Sequence, residues 1–328
     1  MGLLKTCTEK SFSILQEREF SVLSFKAFGT SCEVKFSPIN SHSPELISKE
    51  VVSWVNEFER RYSRYLPDSW LSQVNKSAGI APVKLSRDDQ PIIQAASFVY
   101  FQSQQTIDPS CLPLTQIWQN ARASNVIPQE SVVEDAKALV NWEKVQHTEN
   151  EIFLPSPGMG LDFGGFGKEY AVDLISAKLR ASNYGNFLVN FGGDIFASGY
   201  ANDNCTWKVG IENPLGESNP SYVVSLSNTG LATSGNYRRY FDVDGKRYGH
   251  TIDQRTGYPT IHSQLTASVV SPSCLKSGII ATTSLLLGKE KGMRLLESEW
   301  NAEGCIQSFE STLITSKFYN YLIYENPA

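Results

Sequence analysis

The sequence predicts an α+β fold with largely antiparallel sheets. Strand-like runs follow one another as meanders, and helical stretches are inserted among them without strict strand–helix alternation. Gly-rich turns join several of these runs, as hairpins require. A doubly wound parallel sheet needs a regular alternation that this chain lacks.

The elements follow in order. Residues 21–37 read as a hairpin, SVLSFKAF and SCEVKF around a GT turn. Residues 44–62 read as an amphipathic helix, with Ile47, Val51, Val52, Trp54, Val55, Phe58 and Tyr62 at near-helical spacing. Pro67-Asp68-Ser69 then breaks the chain, and Asp68 or Ser69 is placed to cap the short helix SWLSQVN. A second helix is expected over 86–106, burying Ile92, Ile93, Ala96 and Val99. The segment 106–118 reads as irregular because of its two prolines, and 133–145 carries both helix and strand signals.

From 151 onward the pattern is clearer. IFLP is a short strand, and LDFGG at 161–165 is a strand end and turn. KEYAVDLISAKLRASNYG is a helix with Gly185 as its C-cap. FLVNFGGDIFASGY is a hairpin with Gly192-Gly193-Asp194 at its tip. Further strands lie in WKVGIENP, in YVVSLSNTGLATSG and at 248–273 around a DQRTG loop. An apolar helix at 274–288 and another at KGMRLLESEW complete the pattern.

Bulk properties exclude some classes. The 328 residues suffice for one large domain or two modest ones. A net charge of −5 argues against a general nucleic-acid surface. No apolar run approaches the roughly 18 residues of a membrane span. The N-terminus is too polar for a secretory signal, and Cys7 lacks the apolar run of a lipoprotein signal. Six scattered cysteines without a CxxC pair suggest neither zinc nor a disulfide framework. A cytoplasmic protein with reduced thiols is the expectation.

Three blocks carry candidate chemistry. Phe163-Gly164-Gly165-Phe166-Gly167-Lys168 opens a helix. Two readings fit it: a phosphate cradle at a helix N-terminus, or a tight strand–helix turn that needs glycine. Asn190-Phe191-Gly192-Gly193-Asp194 reads first as a turn, and second as backbone donors near a ligand. The densest block is 231–259, LATSGNYRRYFDVDGKRYGHTIDQRTGYP. There His250 is followed by Asp253 and Arg255, so a proton acceptor and its bracing partners fall within five residues. Arg255 is expected to brace the loop by pairing with an acidic group.

These blocks, in this order, resemble the ApbE family of FAD:protein FMN transferases. The resemblance includes FGTSCEVKF, YSRYLPDSWLSQVN, IDPS, LDFGGFGKEYAVD, VNFGGDIFASG, LATSGNYRRYF, GHTIDQRTGYP and SVVSPS with IIATTSLLLG, from about residue 25 to 300. It implies an ApbE-like α+β fold related to the tunnelling fold. Its domain would span 23–310, preceded by an extension at 1–22 and followed by a tail at 311–328 packed on it. It implies FAD as substrate, Mg²⁺, and transfer of FMN to a Thr or Ser hydroxyl of a partner flavoprotein with release of AMP. The acceptor would carry a D-g-x-[ST]-G-A-T-like site.

Site residues follow from the same resemblance. Phe28 takes the place of the methionine in the family's M-G-T. Tyr65 and Ser69 fall on the adenine and ribose side, and Asp108 and Ser110 in a ligand-lining loop. Gly165 and Lys168 fall near the pyrophosphate, and Ser234, Gly235 and Tyr237 beside the flavin. His250, which also touches the ligand, would be the base, and Asp253 its orienting acid. The metal set is Thr282, the Gly167 carbonyl and position 278.

Position 278 departs from the family. Where the family has A-D-A-L-A-T, this chain has Ser277-Gly278-Ile279-Ile280-Ala281-Thr282, so glycine replaces a carboxylate ligand. Where the family has G-I-A-K-G, this chain ends in Glu169. Glu169 either compensates for the lost ligand or is a solvated helix-start residue favoured by the dipole. Two alternatives to transfer therefore stand beside it: a catalytically degenerate flavin-nucleotide-binding protein, or an FAD pyrophosphatase.

Overall fold

Nine antiparallel strands form one sheet, and the functional residues hang from its two middle hairpins and the helices packed on them. The structure is a computed structural model. It describes residues 11–17, 19–39, 43–202, 205–214, 219–236, 240–243, 245–260 and 264–323.

The chain opens with β1 (Phe12–Glu17), β2 (Phe20–Ala27) and β3 (Thr30–Phe36), a meander. Helices α1 (Pro44–Tyr62) and α2 (Trp70–Lys76) follow. Then β4 (Val83–Lys84) leads to α3 (Gln90–Gln102), α4 (Leu112–Ser124) and α5 (Glu130–Ala138). Short strands β5 (Gln146–His147) and β6 (Glu151–Phe153) complete a ribbon with β4. After α6 (Gly167–Ala181) comes the hairpin β7 (Phe187–Phe191) and β8 (Asp194–Ser198). A separate ribbon, β9 (Trp207–Ile211) and β10 (Tyr222–Leu226), precedes β11 (Thr229–Gly235). Two small hairpins follow, β12 (Tyr240–Val243) with β13 (Lys246–Gly249), and β14 (Ile252–Asp253) with β15 (Tyr258–Pro259). The chain then forms β16 (Gln264–Ser271), α7 (Cys274–Leu287), α8 (Lys289–Ser298), β17 (Glu303–Ser308) and β18 (Thr312–Ile314). The large sheet runs β1-β2-β3-β7-β8-β11-β16-β17-β18. The segments 12–17 and 312–314, outside the expected 23–310 domain, are thus its two edge strands.

Alternation along the middle strands explains why both faces are covered. Phe187, Val189 and Phe191 of β7 join the core built with α1, α2, α3 and α6. Leu188 between them points the other way, into a second core with Trp207, Val224, Leu226 and Phe318. In β8, Phe196 faces the first core and Ile195 and Ala197 the second. Among the described residues no helix is long and apolar enough to cross a membrane. Among the described cysteines, 111, 205, 274 and 305 are free thiols.

The helix at 44–62 has the bounds its periodicity predicts, with Ser43 accepting from Leu46 N at 3.2 Å. Elsewhere the structure corrects the sequence. Residues 112–118, read as irregular, open the regular helix α4. Pro113 sits in its first turn, where a missing N–H breaks no hydrogen bond. The ambiguous stretch 133–145 holds the end of α5 and one tight turn at Trp142–Lys144. The left-handed residue after α6 is Asn183, φ 65°, and not Gly185. LDFGG is not a strand end: residue 160 makes only an isolated bridge to Cys111, and 161–165 are loop and turn.

Helices α4 and α5 support the small hairpins. Trp118 lies under β12 and β13, stacked on Tyr248 at 5.8 Å between centroids, and Leu114, Val133 and Ile252 complete a separate core. Its indole Nε1 donates to the Gly257 carbonyl at 2.7 Å. A Cβ on Gly257 would come within 2.8 Å of Val133, so glycine allows this approach. Trp118→Ala should lower stability by about 3–5 kcal/mol, read from urea unfolding midpoints. An unchanged midpoint would mean that α4 does not carry the loop.

Candidate functional site

A cleft of about 1940 Å³ runs along the ends of the central strands. One wall is the first turn of α6 and the Gly164–Gly165 turn before it. The other is the loop bearing His250 and Gln254. The floor includes Thr233 and Ser234 of β11 and Thr282 of α7, and Phe28, Tyr65 and Trp118 add apolar surface.

Local chemistry explains each position. Phe28 and Gly29 form the two-residue turn between β2 and β3, both with positive φ, 52° and 68°. That geometry is costly for a phenylalanine. Its N–H donates to Glu59 Oε1 at 2.8 Å, and its ring stacks on Phe191 at 5.7 Å, which offsets the cost. The β7–β8 turn uses Gly192 and Gly193, φ 64° and 97°. A Cβ on Gly192 would meet Thr30 Oγ1 at 2.5 Å. This tight turn puts Asp194 at the start of β8, buried on the cleft wall.

Asp194 pairs with Lys168 of α6 and accepts a hydrogen bond from the Thr233 N–H. Glu169 lies beside them, close enough to Asp194 to share a proton. Burial, then the Asp194 charge, pushes the Glu169 carboxyl up to about 8. Burial also raises Asp194, against the pull of Lys168. Burial disfavours the Lys168 ammonium, but Asp194 and Glu169 outweigh it and raise the group. Glu169 is partly exposed as a residue, yet its Oε2 is buried and receives no hydrogen bond. Beyond this cluster, Ser234 Oγ and Thr282 Oγ1 are 2.6 Å apart.

The structure brings Phe28, Tyr65, Gly165, Lys168, Ser234, Gly235, His250 and Thr282 to the cleft. It does not bring the rest. Ser69 is buried as the N-cap of α2, accepting from Ser72 N at 3.0 Å. Asp108 and Ser110 are buried behind the wall. The Asp108 carboxylate accepts from Ser110 N, Ser110 Oγ and Trp142 N at 2.7, 2.6 and 3.0 Å, so it shapes the loop and does not line the cleft. Burial raises Asp108 against those hydrogen bonds. Asp253 is buried and held by Arg255, whose Nε and Nη2 donate at 2.9 and 2.7 Å. The pair braces the loop, and Asp253 is off the cleft wall. Gly167 and Gly278 are also buried away from it. Tyr237 lies outside the described residues.

Sequence reasoning missed Asp194, Asp162, Arg64 and Gln254. Arg64 and Asp162 pair at 2.9 Å with each side chain only 10% exposed, and both line the cleft. Arg64 also covers the Tyr65 ring at 4.2 Å. Gln254 Oε1 accepts from the Asp108 N–H and ties the His250 loop to the 106–111 loop. The one visible signal was a charged residue opening the apolar strand DIFAS.

Fold and site define an α+β protein with a large cleft, lined by polar and apolar residues, between a sheet-backed helix pair and a small loop-bearing lobe. The ApbE family model matches residues 28–306, and the chain belongs to that family. It is 27% identical over 308 residues to an FAD:protein FMN transferase of Haemophilus influenzae, covering 90% of this chain and 89% of the relative. It is 30% identical over 288 residues to the protein of that name from Treponema pallidum, covering 82% and 79%. Among solved structures, the apo form of the flavinyl transferase ApbE of Pseudomonas stutzeri superposes with a TM-score of 0.80 at 25% identity, covering 96% of this chain and 98% of that one. A variant of flavin transferase ApbE from Vibrio cholerae gives 0.81 at 25% identity, covering 93% and 100%.

The Lys168–Asp194 pair is open to a direct test. Lys168→Met keeps the stem and strands a buried carboxylate. It should lower stability by about 2–3 kcal/mol, less than a fully enclosed pair because Lys168 keeps some solvent contact. Lys168→Met/Asp194→Asn should recover most of the loss. A loss near zero in the single variant would place the pair among solvated surface pairs.

Proposed function

We propose that the chain is an FAD:protein FMN transferase, moving FMN from FAD to a Thr or Ser hydroxyl of an acceptor flavoprotein with release of AMP. The observation that carries this reading is the cleft itself. It brings an exposed His250, a Gly-rich helix start and the half-buried Lys168 ammonium together around one space of about 1940 Å³. Its volume exceeds the roughly 300–1,000 Å³ of ordinary small-ligand pockets.

The roles follow from position. Tyr65, with Arg64 over its ring, offers a face for the adenine end. Gly164 and Gly165 allow close approach of the pyrophosphate, near the N-terminus of α6. Lys168 adds positive charge on that side, and Ser234 and Gly235 lie toward the flavin end. His250 takes the proton of the acceptor hydroxyl as its oxygen bonds to the FMN phosphorus. The bond from that phosphorus to the bridging oxygen breaks, and AMP leaves with that oxygen. Asp253, through Arg255, holds the loop that presents His250.

The residues present fit a hard divalent cation, because a buried Glu169 carboxylate oxygen lacks a donor and the Ser234 and Thr282 hydroxyls line the same cleft. Thr282 Oγ1, on the cleft, would hold Mg²⁺, while Gly278 has no side chain to offer. When bound, Mg²⁺ neutralises charge on the pyrophosphate and the departing AMP.

The test combines the purified chain, FAD, Mg²⁺ and an acceptor domain with a D-g-x-[ST]-G-A-T-like site. AMP should appear one for one with covalent flavin on the acceptor. His250→Asn should keep FAD binding and slow AMP release by about 10²–10⁴-fold. AMP with free FMN and no flavinylated acceptor would indicate hydrolysis instead. FAD bound without AMP would indicate a binding protein.

A further inference from the structure

We infer that the carboxylate ligating the divalent cation in this chain comes from Glu169 on α6, in place of a side chain at position 278 on α7. The inference rests on the flavin-transfer reading and names a ligand the family pattern does not supply at that position.

Space is the first argument. A Cβ on Gly278 would lie 2.8 Å from Glu169 Cγ and 3.1 Å from Glu169 Oε1. The Glu169 side chain therefore fills the volume into which a residue-278 side chain would project. It reaches the cleft wall there, whereas Gly278 does not.

Charge is the second. Asp194 and Glu169 are two carboxylates facing one ammonium, Lys168. Asp194 is already served, by Lys168 and the Thr233 N–H. Glu169 Oε2 is buried with no donor. A glutamate placed only to favour the helix dipole would keep its oxygens in water. A buried, unpaired carboxylate oxygen calls for a cation or a proton.

Donor chemistry is the third. Thr282 lies one turn beyond Gly278 on α7, and its hydroxyl lines the same cleft beside Ser234 Oγ. Among the described residues no group of three His, Cys, Asp or Glu faces one point, which argues against a soft or all-protein metal cage. One carboxylate with hydroxyl, carbonyl and substrate phosphate oxygens is the set Mg²⁺ accepts.

The test uses the intact purified protein, with FAD binding followed by flavin fluorescence and Mn²⁺ binding by the EPR signal of the free ion in the presence of FAD. Wild type should bind one Mn²⁺ per chain. Glu169→Gln should weaken that binding by at least about tenfold. Gly278→Asp alone should not tighten it, because its side chain meets Glu169. Glu169→Gly/Gly278→Asp should restore it, which no purely structural role of Glu169 predicts. Should Glu169→Gln fail to fold, the double variant carries the test alone: near-wild-type Mn²⁺ binding supports the exchange, and its loss overturns it. Equal binding by wild type and a folded Glu169→Gln overturns the inference and leaves the flavin reading intact, as does FAD bound by wild type with no Mn²⁺. Failure of wild type to bind FAD would remove the flavin reading itself.

Discussion

Two carboxylates, Asp194 buried and Glu169 with one oxygen buried, share one ammonium on the cleft wall, and the site depends on that imbalance. Lys168 satisfies Asp194 and leaves Glu169 Oε2 without a donor. The three groups come from two elements, the first turn of α6 and the start of β8, and Gly278 of α7 leaves room for Glu169. The contact works only because these elements are fixed on the sheet. The Gly192–Gly193 turn sets Asp194, and Asp173 on α6 ties α6 to α7 by accepting from Cys274 N and Leu275 N at 2.8 and 2.9 Å. Burial pushes Asp173 up to about 6 despite those two hydrogen bonds.

The opposite wall is organised by packing. His250 sits on a loop held from below by Trp118 and Val133 and from within by Asp253 and Arg255. Gln254 binds it sideways to the 106–111 loop. A base that must approach an incoming protein hydroxyl needs exposure, and a loop needs restraint to keep the base in place. The separate core of α4 and α5 reconciles the two.

Much of this was legible in the sequence where a period or a cap dominates. The bounds of α1, the β2–β3 and β7–β8 hairpins and a cap at Asp68 or Ser69 follow from local chemistry alone, and the structure puts the cap at Ser69. The α4–α5 pair was not legible, because its apolar residues are spent on a small satellite core and its prolines mimic a breaker. Site residues divide in a similar way. His250, Lys168 and Ser234 stand in dense polar blocks and do reach the cleft. Asp108, Ser110 and Asp253 stand in equally polar blocks, but their side chains are consumed by backbone N–H groups and an arginine. A sequence does not distinguish a polar group facing a ligand from one satisfying its own loop. Asp194 and the Glu169–Gly278 contact join residues far apart in the chain, so only the fold reveals them.

In the proposed site, the Glu169–Thr282 corner of this cleft would hold a divalent cation against the pyrophosphate of FAD. The most direct measurement is a crystal structure of the protein grown with FAD and Mn²⁺, with an anomalous difference map locating the metal. The expected result is a peak bonded to Glu169 and Thr282, with the flavin nucleotide lying between the α6 start and His250. A peak away from Glu169, or a nucleotide bound outside this cleft, would contradict it.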